Sequence, residues 1–231
     1  MIFAIFEGKE LTMFVRTFTI LAMLVFISNI SAQLSLPGFA SHQKFHWHNS
    51  PQSFKITSDG LIAVAGTSTD MFRDPGVTYN TDTAPKLLTT VSGDFVLSAG
   101  VSHAFESKWD GGALVLMQDS FHWVKFCFEK DYLGKKRVVS VVTRDVSDDC
   151  NSEVVNGDKV YYKMARKGKV VTLYYSADNV SWTLVRHLQL DWTRDLKLGF
   201  LAQSPTGTQC EVKFTEVQFE YKSISDPYTG N

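Results

Sequence analysis

Residues 109–148 read WDGGALVLMQDSFHWVKFCFEKDYLGKKRVVSVVTRDVSD, and this stretch decides the fold. It reads as three strands, 113–117, 121–129 and 138–143, joined by two turns. Side chains of an extended chain alternate between faces, so in the middle strand Val124, Phe126 and Phe128 point one way. Trp123, Lys125, Cys127 and Glu129 point the other way. The first set is an ordinary core face. The second, with a Trp, a cation and a carboxylate in a row, is the expected floor of a polar groove.

Outward from this stretch the same pattern repeats. Further strands are expected at 44–47, 53–57, 61–65, 86–91, 94–101, 160–166, 170–176, 182–190, 196–203 and 209–221. Their β-branched and aromatic residues, punctuated by turns at short intervals, describe an all-β antiparallel sandwich or barrel. Phe95, Leu97, Ala99 and Val101 share one face. In the last strand Cys210, Val212 and Phe214 are in phase and then Val217, Phe219 and Tyr221, a one-residue slip near Thr215 that a β-bulge produces. Lys167-Gly168, Leu133-Gly134 and Asp178-Asn179 are turn tips. The basic cluster Lys135-Lys136-Arg137 reads as a solvated edge.

The N-terminus carries Arg16, the apolar run 18–27 and small residues ending at Ala32. This is the make-up of a cleaved secretory signal peptide over residues 1–32, starting at Met1 or Met13, with one domain over 33–231. A secreted chain, extracellular or periplasmic and without a membrane span after cleavage, is therefore expected. With 44% hydrophobic residues, among them 17 Phe, 8 Tyr and 5 Trp, the domain can fill a large core. Lys plus Arg number 23 against 24 Asp plus Glu, and this balance lacks the basic excess of a nucleic-acid binder. Cys127, Cys150 and Cys210 allow one bridge and one odd thiol in an oxidising compartment, with the pairing open.

Several of these segments resemble a family of largely unknown function with a concanavalin A-like lectin/glucanase sandwich. The family includes a fungal branch named for regulation of enolase and is similar to the C-terminal sandwich domain of β-xylosidases. The matching residues begin with Thr69-Asp70-Met71-Phe72-Arg73 and Val91-Ser-Gly-Asp-Phe95, then Trp123-Val-Lys125 through Glu129. They continue with Ser140-Val-Val-Thr143 and Ser147-Asp148, Tyr175-Ser176 with Trp182, and Gly199-Phe-Leu-Ala-Gln-Ser-Pro-Thr-Gly207. Where the family pattern tends to carry Trp, this chain has Phe72 and Asp149, and Ala113 follows Gly111-Gly112 where a Gly is usual. The resemblance implies an antiparallel two-sheet jelly roll, with sugars on the concave sheet face by analogy with the fold group.

Sugar recognition needs an aromatic face against the C–H side of the ring and planar polar groups on the hydroxyls. The candidates are Trp123, Lys125 and Glu129 on one strand face, flanked by Trp109, Asp110, Arg144 and Asp148. Asp70 and Phe72 come from the loop at 69–75, where Asp70 also suits an Asx-turn. A retaining glucanase of this fold needs two carboxylates about 5 Å apart on one strand face. Glu129-Lys-Asp131 lacks its second partner and Glu216-Val-Gln218-Phe-Glu220 has Gln at the centre, so no catalytic residue is assigned. His46-Trp47-His48 has a two-ligand spacing without a third ligand nearby, so no metal and no cofactor is assigned. The expected function is a non-catalytic lectin-like domain that takes an oligo- or polysaccharide. The alternatives are a glycoside hydrolase and an envelope interaction sandwich with no ligand groove.

Overall fold

In the computed structural model, residues 33–192 and 195–230 are described, and the expected signal peptide lies outside them. In chain order the strands are β1 (His46–His48), β2 (Ser53–Ile56), β3 (Leu61–Gly66), β4 (Met71–Arg73), β5 (Asn80–Asp82), β6 (Lys86–Val91), β7 (Phe95–Ser102) and β8 (Gly111–Asp119). They continue as β9 (His122–Lys130), β10 (Lys136–Arg144), β11 (Val146–Val154), β12 (Lys159–Lys167), β13 (Val170–Ser176), β14 (Thr183–Gln189), β15 (Leu196–Gln203) and β16 (Gln209–Glu220).

Two seven-stranded antiparallel sheets form a sandwich of the concanavalin A-like kind. The first runs β1-β6-β15-β8-β9-β10-β11 and the second β14-β13-β12-β7-β16-β3-β2. A small β4-β5 hairpin stands apart from both. No helix among the described residues is long and apolar enough to cross a membrane.

The alternation of β9 separates the two faces of the first sheet. Val124, Phe126 and Phe128 join the core between the sheets, with Leu114, Leu116, Phe200 and Phe214. Phe126 stacks on Tyr162 of β12 at 3.9 Å between centroids, and the Tyr162 hydroxyl donates to Cys127 O at 2.7 Å. A buried phenol is satisfied in this way without breaking the apolar layer. On the outer face, Trp123 and Cys127 join a second cluster with Met71, Met117, Val139, Val141 and Leu201.

The bulge expected near Thr215 is present: the pairing of β16 with β7 shifts between Thr215 and Gln218, and Glu216 takes a φ of 53°. Gly134, Gly168 and Asn179 all have positive φ at the turn tips. Gly199 has a different reason to be glycine. A Cβ there would lie 1.9 Å from Leu87 O on the neighbouring strand, so the close approach of β15 to β6 requires none.

Three strands escape the hydrophobic pattern. β4 and β5 are three residues each, and β11, VSDDCNSEV, is an edge strand that is mostly exposed and so carries no apolar period. The three cysteines are free, so none of the pairings the sequence leaves open is formed: Cys127 is buried on the outer face of the first sheet, Cys210 is in the core and Cys150 is exposed on β11. Packing, not cross-linking, holds this sandwich.

Phe126→Ala removes the ring stacked on Tyr162 and is expected to cost about 3–5 kcal/mol in denaturant unfolding. A loss below 1 kcal/mol, the scale of an ordinary surface substitution, would show that the two sheets do not depend on this contact.

Candidate functional site

The outer face of the first sheet opens into a cavity of about 470 Å³ beside the β4-β5 hairpin. Strand parity fixes which residues reach it. Lys125 pairs with Val115 and Val141, and Val141 pairs with Asp149, so all four share the outer face across β8 to β11. Gln203 at the end of β15 and Glu129 near the end of β9 lie on that face too.

Lys125 is the floor. Its ammonium is buried and donates to Met71 O at 2.8 Å and to Gln203 Oε1 at 3.0 Å, with Asp70 Oδ1 at 3.7 Å. Burial opposes its charge, but the Asp70 carboxylate, Cys127, Glu129 and Asp149 more than offset this and hold its pKa above the ordinary lysine value. Because a lysine only donates, the amide of Gln203 must turn its oxygen toward it. The Gln203 Nε2 is then directed to Trp109 O at 2.9 Å and Glu129 Oε2 at 3.5 Å. One amide therefore ties together the cation, the carboxylate and the backbone of the aromatic at the rim.

Glu129 is buried, and this pushes its carboxyl up to about 7. Lys125 and the Cys127 thiol, which donates to it, pull in the opposite direction, while Asp149 and Asp70 add to the rise. Asp149 keeps an exposed edge at the cavity mouth. The surrounding protein pushes its carboxyl up as well, against the pull of Lys125. Asp70 is held by Met71 N–H on Oδ1 at 2.7 Å and by the Thr81 hydroxyl on Oδ2 at 3.3 Å. This local bonding is of the kind expected of an Asp in that loop.

The walls are aromatic. Trp109, 40% exposed, has a φ of 63° and is anchored through its own N–H to Lys130 O at 2.6 Å. Phe72 and the exposed Tyr79 lie 5.9 Å apart on the hairpin opposite. Thr81, Thr206 and Ser68 add hydroxyls.

Of the residues singled out from the sequence, Asp70, Phe72, Trp109, Lys125 and Glu129 line the cavity. The other four do not. Trp123 is 1% exposed in the cluster that includes Met71 and Phe72 of β4, so its ring offers no platform. Asp110 is buried beside the cavity, accepting from Ser107 N–H at 2.8 Å and Ser204 Oγ at 2.7 Å. Its burial, opposed by these two bonds, pushes its carboxyl up. Arg144 and Asp148 have the wrong parity: Asp148 pairs with Val142, which faces the core. They reach the second sheet instead, Arg144 donating to Gln189 O at 3.0 Å and Asp148 pairing with Arg186 at 2.6 Å.

Glu216 lies in the β16 bulge, where Lys159 and Tyr161 hold it, apart from the cavity. The residues the sequence reading missed are chiefly Gln203, Asp149, Tyr79 and Thr81. The first two stand within or beside the stretches that carry the family resemblance. The last two stand in 79–83, which has no alternation to read.

Residues 47–222 match the model of a family described as "Protein of unknown function (DUF1349)". The chain belongs to this family. No curated protein matches it by sequence. Among solved structures, a functionally unknown protein from Saccharomyces cerevisiae is similar at 22% identity and a TM-score of 0.70, over 77% of this chain and 96% of that one. The GH43 protein BlXynB from Bacillus licheniformis is similar at 9% identity and TM-score 0.58, over 78% of this chain and 37% of the other. Xylan β-1,4-xylosidase from Bacillus halodurans is similar at 12% identity and TM-score 0.53, over 69% and 32%. At these identities the likeness establishes the sandwich, and this DUF1349 chain spans about a third of the two longer enzymes.

The raised carboxyl of Glu129 has a consequence for stability. The folded chain holds this proton up to about pH 7, whereas a free glutamate releases it near 4.5, so the contribution is complete below 4.5 and lost as pH rises to 7. Glu129→Gln is expected to flatten the stability profile between those limits by on the order of 2–3 kcal/mol, measured as denaturant midpoints across pH. Parallel profiles for the two proteins would contradict the burial of this carboxyl.

Proposed function

We propose that this chain is a secreted, non-catalytic glycan-binding sandwich that takes an uncharged saccharide in the Lys125–Glu129 cavity. The carrying observation is the pairing of an exposed indole with convergent planar groups. Trp109 faces Phe72 and Tyr79 across a cavity floored by Lys125, Gln203 and Glu129. An aromatic edge covers the C–H side of a pyranose, while the amide, the carboxylates and the hydroxyls of Thr81 and Thr206 meet its oxygens. Three carboxylates, Asp70, Glu129 and Asp149, surround one lysine that is already bonded. That balance disfavours an acidic sugar here and favours a neutral one. The similarity to sandwich regions within longer xylan-acting enzymes supports a plant or microbial polysaccharide as the source, and the signal-like N-terminus supports secretion.

Glu129 also favours a second reading, a glycosidase. A carboxyl titrating at about 7 is a proton donor at neutral pH, and Asp149 and Asp70 are carboxylates close enough to raise it. Incubation with xylan, arabinan and glucan separates the two: released product in the wild type that Glu129→Gln abolishes would establish hydrolysis.

Binding to the same polysaccharides by affinity electrophoresis tests the first reading. Trp109→Ala, which removes an exposed ring, is expected to weaken binding about tenfold or more with the melting temperature unchanged. Undiminished binding by the folded variant would remove the cavity from consideration.

A further inference from the structure

The outer face of the first sheet carries a second opening on the far side of the hairpin. By pairing, His46, Leu88 and Gly199 are level on β1, β6 and β15, and His48, Lys86 and Leu201 likewise. Thr90 and Lys197 pair two residues further along. Parity therefore puts His46, His48, Thr90 and Lys197 on the same outer face as Lys125. A groove of about 490 Å³ lies among them, bounded by Lys44, Trp47 and Tyr221.

Its chemistry is the reverse of the first cavity. Two lysines and three histidines, His42, His46 and His48, line it, and no carboxylate does. Asp82 lies 3.9 Å from His48 and is engaged by Lys86 at 2.5 Å. Lys44 donates only to neutral oxygens, Ser35 Oγ at 3.1 Å and Ser41 O at 2.9 Å. Among the described residues neither Lys44 nor Lys197 makes an ion pair.

An independent observation lies in the groove wall. The Oε1 of Gln43, a residue 6% exposed, is buried with no partner among the described residues. Gln43 is otherwise held by its Nε2, which donates to the Tyr221 hydroxyl at 3.4 Å. Unmet buried donors and acceptors are costly and uncommon in a native fold. Here an unmet acceptor and two lysines without an ion pair border one groove.

We propose that this groove is a second binding site, for an anionic saccharide whose uronate carboxylate or sulfate ester meets Lys44 and Lys197. A ligand hydroxyl donates to Gln43 Oε1. The histidines and Thr90 supply further hydrogen bonds, and Tyr221 borders the ring. This site is separate in position and in charge from the cavity beneath Trp109, and does not depend on what that cavity binds.

Affinity electrophoresis of the chain through polygalacturonate, dextran sulfate and neutral dextran tests it. Retention by an anionic polymer and not by dextran is expected, weakened by added salt because the contacts are exposed ion pairs. Polygalacturonate alone, dextran sulfate alone or both would identify the carboxylate, the sulfate or their shared charge as what is recognised. Lys197→Glu, an exposed change, is expected to weaken retention about tenfold, and Trp109→Ala not at all.

Equal mobility in all three gels, retention insensitive to Lys197→Glu, or a loss caused by Trp109→Ala instead would overturn the proposal.

Discussion

A charged ammonium cannot be taken out of water unless each of its protons finds an oxygen, and Lys125 is arranged around that requirement. Its partners come from two places far apart in sequence: Met71 O with, slightly further, the adjacent Asp70 at the start of β4, and Gln203 Oε1 on β15. Meeting the requirement fixes the hairpin over the sheet, the orientation of the Gln203 amide and, through it, the positions of Glu129 and the Trp109 backbone. Cavity shape and cavity charge thus follow from one buried cation. The same constraint explains why Trp123, on the same strand face, is covered: the hairpin held by Lys125 brings Met71 and Phe72 onto it.

The hairpin also divides the outer face into two chemically unlike halves. On one side three carboxylates surround a lysine whose bonds are already made. On the other, lysines and histidines gather without an acid among them. Between the two, Lys86 is fully buried against Asp82 and Ala84 O, which pins the second edge of the hairpin to β6. Burial lowers the pKa of that lysine, and the Asp82 carboxylate works against the fall. Two buried lysines, one at each side, therefore clamp a hairpin too short to hold itself.

Period-two alternation in Phe121–Glu129 was enough to separate core from site, and the phase slip in the last strand was enough to locate a bulge. Both are local properties of a single strand, and local patterns are what a sequence displays. The misplacement of Arg144 and Asp148 has the opposite origin. Arg144 closes β10, whose two faces are both apolar, and Asp148 lies past the tight turn at Asp145 on β11, whose few apolar residues are exposed and mark no phase. Trp123 was read on the correct face. Whether that face is open or covered is decided by the β4-β5 hairpin far upstream, whose Met71 and Phe72 share a cluster with Trp123. Gln203 and Asp149 stood in or beside the resembling segments, yet an amide and a carboxylate acquire meaning only once Lys125 is seen to lie between them.

The Tyr162 hydroxyl, which reaches across the sandwich to Cys127 O, joins the two sheets at the strand that bears both Lys125 and Glu129. The carbonyl it holds belongs to the residue midway between those two side chains. The far sheet is thus not a passive backing. It sets the height of the cavity floor, so drift in the second sheet over evolution would reshape the cavity without altering a single residue that lines it.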